Sequence, residues 1–150
     1  MQNIYLAARY GRRLELAEHA AQLQKLGFHV VSRWVFGGHE IEDAVFNHAS
    51  RERKNEIGAK FAIDDEIDID RADIFIAFSE PLNDSAYITP DQARGGWNVE
   101  FGMARKQGKK LILIGPRVNM FHCLPSIQQY DTWEDFIKQL KQKEEEACRS

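Results

Sequence analysis

The chain has 150 residues, 43% of them hydrophobic and 29% charged, with a net charge of −3. That length suits one domain able to bury a full core, and the balance lacks the basic excess that a phosphate-backbone partner requires. Apolar stretches stay below the roughly 18 residues of a membrane span, and Cys123 and Cys148 stand apart, without metal-ligand spacing or a disulfide framework.

The N-terminal MQNIYLAARYGRR enters a strand-like run directly, so no signal peptide is expected. The default is a single cytoplasmic domain over residues 1–150, with neither a nucleic acid polymer nor a membrane as partner. NIYLAA (3–8) is the first apolar run ending in a loop and reads as a strand. RRLELAEHAAQLQKLG follows, with Leu16, Ala20, Leu23 and Leu26 at helical spacing and Gly27 as a stop. FHVVSRW (28–34) is the second strand. Residues 36–69 are less regular: Gly37, Gly38 and His39, then a charged helical segment. ADIFIAF (72–78) is almost continuously apolar, as suits a strand covered on both faces. An irregular insert, SEPLNDSAYITPDQARGG (79–96), separates it from the helix GWNVEFGMARKQG, which carries Arg105 and Lys106 near its C-terminal end and Gly108 beyond. KKLILIG (109–115) is the fourth strand, and SIQQYDT (126–132) supplies a fifth. DTWEDFIKQLKQKEEEA is a helix capped by Asp131 or Thr132, with Trp133, Phe136, Ile137 and Leu140 as its apolar stripe and a charged tail expected to fray.

Strands alternating with helices imply right-handed βαβ crossovers, hence an α/β fold of flavodoxin-like, three-layer form with a mostly parallel sheet of four or five strands. Such sheets bind ligands beyond the C-terminal strand ends. The loops after Ala8, Trp34, Phe78 and Gly115 are therefore where chemistry is sought.

Glu100 stands out, a carboxylate between Val99 and Phe101 where a packing helix favours an apolar side chain. Gly95 and Gly96 let the backbone turn closely before it, which puts Glu100 in about the first turn. There it either points into the ligand crevice or helps cap the helix N-terminus, where negative charge is favoured by up to about 1 kcal/mol; the helix alone supports both equally. Asp65 lies in IDDEIDIDRAD among Asp64, Asp68, Asp70 and Asp73. Acidic residues in such a run are most often solvated. Helical period groups Asp65 with Ile69 and Ala72 toward the packed side, and Asp64 with Asp68 on a more polar face. An EF-hand is excluded, since no glycine holds the turn position and no irregular loop is present. Tyr5 sits inside the first strand and, taken alone, is more often a core aromatic. Arg9, Arg12 and Arg13 surround Gly11 just after that strand, where basic groups and amides can hold an anion, although ARYGRR is neither GxGxxG nor Walker-like.

Three motifs in order, IYLAA, Asp65 followed through RAD to Asp73 before IFIAF, and GGWNVEFGMARKQGKKLILIG, make the chain resemble the nucleoside 2-deoxyribosyltransferase superfamily, including its 2′-deoxynucleoside 5′-monophosphate N-glycosidases, over about residues 3 to 136. The resemblance implies hydrolysis of a base–sugar bond, with Glu100 as nucleophile, Asp65 assisting and Tyr5 positioning the glutamate. Cleaving an N-glycosidic bond develops oxocarbenium character at C1′. A carboxylate on one face stabilises or attacks it, while a second acid helps release the base. Transferases acting on free nucleosides carry an aspartate six residues before the nucleophile, and monophosphate hydrolases a serine; this chain has Arg94. An arginine suits phosphate better than a neutral 5′-hydroxyl, so the implied substrate is a (deoxy)nucleoside 5′-monophosphate. Ser85 in the insert is a second phosphate candidate, and Gly95, Gly96 and Arg9 complete the substrate-binding set. His39 either lines the base pocket or is exposed. The family often lends residues from the loop after the fourth strand to a neighbouring subunit, which makes Asn119 and His122 candidates across a homodimer or larger homo-oligomer; a lone histidine there is more often structural. No metal or redox cofactor is implied. A base-exchanging deoxyribosyltransferase and a non-catalytic nucleotide-sensing module are the alternatives.

Overall fold

The computed structural model describes residues 1–37, 48–80 and 95–150. Strands β1 (Asn3–Ala7), β2 (His29–Val30), β3 (Ile74–Phe78), β4 (Lys110–Ile114) and β5 (Gln128–Tyr130) form one sheet, ordered β2-β1-β3-β4-β5. Every pairing among them is parallel. The helices are α1 (Arg13–Lys25), α2 (Arg51–Arg71), α3 (Gly96–Lys106) and α4 (Trp133–Arg149). This strand order is that of flavodoxin-like folds, and it places the topological switch point between β1 and β3, where consecutive connections leave the sheet in opposite directions. No described helix is long and apolar enough to cross a membrane.

The central strands are apolar because both their faces are covered. All five residues of β3 are buried, and so are the last four of β1. The β1–β3 register pairs Tyr5 with Phe75 and Ala7 with Ala77, so the two-residue period of strands lines these four on one face. There the Tyr5 and Phe75 rings stack at 5.4 Å, and Phe101 of α3 meets Phe75 edge-on at 6.2 Å. On the opposite face Phe78 meets His19 of α1 and Trp133 of α4, at 5.5 and 5.7 Å. Full burial of each large ring contributes about 1.5–3 kcal/mol.

The helix ends follow their local chemistry. Ser50 caps α2 by accepting from the Arg53 amide, and Thr132 caps α4 by accepting from the Asp135 amide. Gly95 precedes α3 at φ +65°, in the left-handed region that suits glycine, with no side-chain cap. The turn between α2 and β3 is tied to β1, because the Asn3 amide donates to the Asp73 carboxylate at 2.8 Å and the Asn3 side chain to the Arg71 carbonyl at 2.9 Å.

The fifth strand is present as expected, but the second is only His29–Val30 where a run over 28–34 was anticipated. Beyond it, side chains replace the backbone ladder. The Ser32 hydroxyl accepts from the Leu6 amide at 2.7 Å, and the Trp34 indole donates to the Leu6 carbonyl at 2.9 Å. With β1 thus satisfied, Arg33–Phe36 turns as a 3₁₀ helix. The charged tail of α4 does not fray but stays helical to Arg149, with mostly exposed side chains.

Asp68 departs furthest from the pattern, being buried where a polar face was anticipated. Its carboxylate accepts from the Arg33 amide at 3.0 Å and from Arg33 Nε at 2.9 and 3.0 Å. The pair clamps α2 to the segment after β2, and with it the part of α2 that carries Asp65. Asp68→Ala leaves the Arg33 amide without this acceptor and should cost about 1–3 kcal/mol. Urea denaturation should show a lowered midpoint; an unchanged midpoint would mean that the clamp does not hold α2.

Candidate active site

α3 lies over the β1–β3–β4 face and packs against α2. Glu100 is the fifth residue of α3, one full turn in, so it cannot cap the helix as one sequence reading allowed. It stands four residues before Ala104, which is fully buried, and so shares the sheet-facing row. Val99, by contrast, is 60% exposed. Asp65 occupies the facing side of α2, three residues before buried Asp68 and four before buried Ile69. Tyr5 rises from the middle of β1 beneath both helices, fully buried. Three residues distant in sequence, on three different elements, thus meet above the sheet near the switch point.

Their electrostatics follow from poor hydration. Burial, then the charge of Asp65, pushes Glu100 up to about 8, while the Tyr5 hydroxyl acts the other way. Burial likewise pushes Asp65 up to about 7, with Asp68 and Asp64 adding to the rise and Tyr5 and Arg33 opposing it. The phenol itself is raised well above its ordinary value, by burial first and then by the charges of Glu100 and Asp65, so it remains a proton donor. In the resting geometry the Tyr5 oxygen is buried without a well-formed hydrogen bond, yet it lies within the electrostatic reach of both carboxyl groups. Repulsion between Asp65 and Glu100 is mutual, so they titrate as a pair. One carboxylate and one carboxylic acid can therefore coexist near neutral pH. That combination can stabilise developing positive charge with one group and deliver a proton with the other.

The other sequence candidates are distributed around this core. Gly95 and Gly96 are exposed at the start of α3. Arg9 lies just beyond β1 and its Nε contacts both oxygens of Glu80, at 3.1 and 3.4 Å. Asn119 caps the 3₁₀ turn Met120–Cys123, accepting from the Phe121 and His122 amides, and its side-chain nitrogen lies 3.4 Å from the Asn98 side-chain oxygen of α3. His122 is fully buried within its own chain, stacked on Trp97 at 5.6 Å and edge-on to Phe101 at 5.1 Å. Its Nδ1 accepts from the Val118 amide at 3.2 Å, and burial lowers its affinity for a proton. The ring packs the loop after β4 onto α3 and offers no surface to a neighbouring subunit. His39, Ser85 and Arg94 lie outside the described residues.

Two residues here had no individual reading in the sequence. Glu80 bridges toward Arg9 and, at 3.9 Å, Arg12. Ser79 donates to the Pro116 carbonyl at 2.6 Å, and Gly115, at φ +108°, sits so close that a side chain there would collide with Ser79. Their signal was positional: both directly follow the last residue of β3, at the switch point.

No family model matches the sequence, and no curated protein matches it by sequence. Similar folds occur among solved structures. One is a CMP N-glycosidase, BcmB, from Clostridium botulinum, 19% identical, with 93% of this chain and 99% of that one covered and a TM-score of 0.50. Another is a 2-deoxyribosyltransferase from Bacillus psychrosaccharolyticus, 22% identical, with 89% of each chain covered and a TM-score of 0.54. At these identities the likeness establishes the shared α/β fold.

The raised pair has a consequence for stability. A carboxyl group whose folded pKa lies above its unfolded value binds its proton more tightly when folded, so its contribution is fully present at low pH and is lost as pH rises through the folded value. For Glu100 the loss runs from about 4.5 to about 8. Glu100→Gln removes that loss. Its melting temperature should rise relative to wild type, by little near pH 5 and most at pH 8 and above. A difference independent of pH, measured by thermal unfolding across this range, would show that Glu100 does not carry the shifted proton.

Proposed function

We propose that this chain cleaves the N-glycosidic bond of a (deoxy)nucleoside 5′-monophosphate, as a hydrolase related to the nucleoside 2-deoxyribosyltransferases. The observation that carries this reading is the meeting of Tyr5, Asp65 and Glu100, from three different elements, in a buried site above the sheet where poor hydration raises both carboxyl groups into the neutral range. The motif resemblance and the likeness in fold to a named N-glycosidase and a named deoxyribosyltransferase point the same way.

In the reaction so read, the singly protonated pair reacts through the tautomer in which Asp65 holds the proton, the minor one because Glu100 is raised further than Asp65, and the Glu100 carboxylate attacks C1′ on the face opposite the base. The C1′–N bond breaks, its electron pair stays with the base, and Asp65 supplies the proton that lets the base leave neutral. Water then attacks C1′, the ester bond to Glu100 breaks, and the proton lost by water returns to Asp65. The net change is one water consumed and one free base and one sugar phosphate released. The Tyr5 phenol donates toward whichever carboxyl group is charged, which holds Glu100 in place and favours its ionised form. Arg94 is the group we assign to the 5′-phosphate, because a guanidinium binds a charged phosphate more strongly than a neutral hydroxyl.

Screening nucleosides and nucleoside monophosphates for released base tests the reading directly. Release should require the 5′-phosphate, and Glu100→Gln should lower kcat/KM by about 1,000-fold or more. Base exchange outrunning release of free sugar phosphate would replace hydrolysis by transfer, and wild type that binds nucleotides but releases no base would leave a sensing module.

The pH dependence is a second check. Both limbs of the kcat/KM profile should fall near the pair's values of about 7 and about 8, far above ordinary carboxylates. Because the Tyr5 hydroxyl lowers both values, Tyr5→Phe should move both limbs to higher pH as well as slow the reaction. Limbs that stay in place would deny Tyr5 its electrostatic role.

A further inference from the structure

The segment that leaves β2 faces two elements at once. Ser32 and Trp34 turn their side chains to β1, where the hydroxyl and the indole take the amide and the carbonyl of Leu6 at 2.7 and 2.9 Å. Leu6 directly follows Tyr5. Arg33, between them, turns the other way, to α2. Its amide donates to the Asp68 carboxylate at 3.0 Å, and its Nε to both oxygens of that carboxylate at 2.9 and 3.0 Å. Its terminal nitrogens reach one helical turn further, Nη2 donating to the Asp64 carbonyl at 3.0 Å and Nη1 lying 3.2 Å from the Asp64 carboxylate. Asp65 stands between the two residues gripped.

This is more than an ion pair on a helix surface. A bond to a side-chain carboxylate alone yields when that side chain changes rotamer. Here one planar guanidinium also holds a main-chain carbonyl, and the carboxylate it shares with its own amide is 1% exposed. Attachment on two successive turns fixes the height of α2 against β1 and its rotation about its own axis. Rotation decides where Asp65 points, because each residue of a helix is turned by about 100° from the last. We propose that Arg33 is a positioning residue of the reaction, setting α2 through Asp64 and Asp68 so that Asp65 meets Glu100 and Tyr5. Its part in catalysis rests on the proposed function; the setting of Asp65 against Glu100 does not.

Glu100 reports the setting without catalysis. Its proton answers to burial, to the charge of Asp65 and to the Tyr5 hydroxyl, so a change made at Arg33 reaches it through Asp65. Arg33→Lys keeps the charge but cannot span Asp64 and Asp68 with one fork. With Asp65 held less firmly beside it, the Glu100 titration midpoint, followed by carbon NMR of the carboxyl group in the full chain, should fall by about 0.5 pH unit or more. On the nucleotide that wild type cleaves, kcat should fall about tenfold with KM nearly unchanged. Arg33→Gln loses charge and fork together and should lower the midpoint too; it serves the same comparison should the lysine variant not fold by circular dichroism. A lower melting temperature alone, with midpoint and kcat of the folded variants unmoved, would overturn the proposal and leave Arg33 a structural clamp. With an active wild type, slower turnover without the shift, or the shift without slower turnover, would overturn it as well. A shifted midpoint in a chain that releases no base from any nucleotide supports the setting of Asp65 while the hydrolase reading fails.

Discussion

Two carboxyl groups held close together where water is scarce cannot both ionise cheaply, and the fold above β1 is arranged around that constraint. Neither helix would bring its acid there unaided. α3 is pressed onto the sheet by the Phe101–Phe75–Tyr5 stack, and α2 is clamped by the pair between buried Asp68 and exposed Arg33. The repulsion between Asp65 and Glu100 is therefore opposed by hydrophobic burial on one side and a charge-assisted hydrogen bond on the other. Tyr5 is the third term: it packs as a core aromatic while its hydroxyl faces the acids. One residue thus serves both the packing that gathers the pair and the polarity that keeps it usable.

Much of this arrangement is legible in the sequence, for identifiable reasons. Parallel strands buried on both faces leave nearly continuous apolar runs, so β1, β3 and β4 are visible with good boundaries. Glu100 is visible because a carboxylate interrupts the apolar face of a helix. Its place about one turn into the helix after Gly95 and Gly96 is visible too, whereas only the structure shows that, as the fifth residue, it lies beyond capping range. Asp68 was misread because a helical wheel knows only its own helix. What buries Asp68 is Arg33, 35 residues away on a segment whose shape depends on Ser32 and Trp34 satisfying β1 through their side chains. The same long-range bonds shortened β2. Glu80 went unnoticed because its partners, Arg9 and Arg12, become neighbours only when β1 and β3 pair. His122 illustrates the reverse: a residue with attractive chemistry is enclosed by Trp97 and Phe101, and its value is in seating a loop.

The site and the Arg9–Arg12–Glu80 cluster divide the sheet's functional edge into two regimes. Below, on the α2–α3 face, charge is scarce and each carboxyl group is held near its tipping point between neutral and ionised. Above, at the strand ends, charge is abundant and already compensated by Glu80 and Glu15. A ligand carrying a neutral reacting centre and an anionic handle matches that gradient.

The sheet also ends in its shortest strands. β2 contributes two residues at one edge and β5 three at the other, while the long, fully apolar β3 lies in the middle. Past Val30 the neighbouring β1 is closed off by a hydroxyl and an indole, not by a backbone that could go on pairing. Among the described residues, a stray strand from another copy finds little ladder to extend on either side. The side-chain bonds that cut β2 short therefore also take from β1 the backbone groups on which a further strand would pair at that edge.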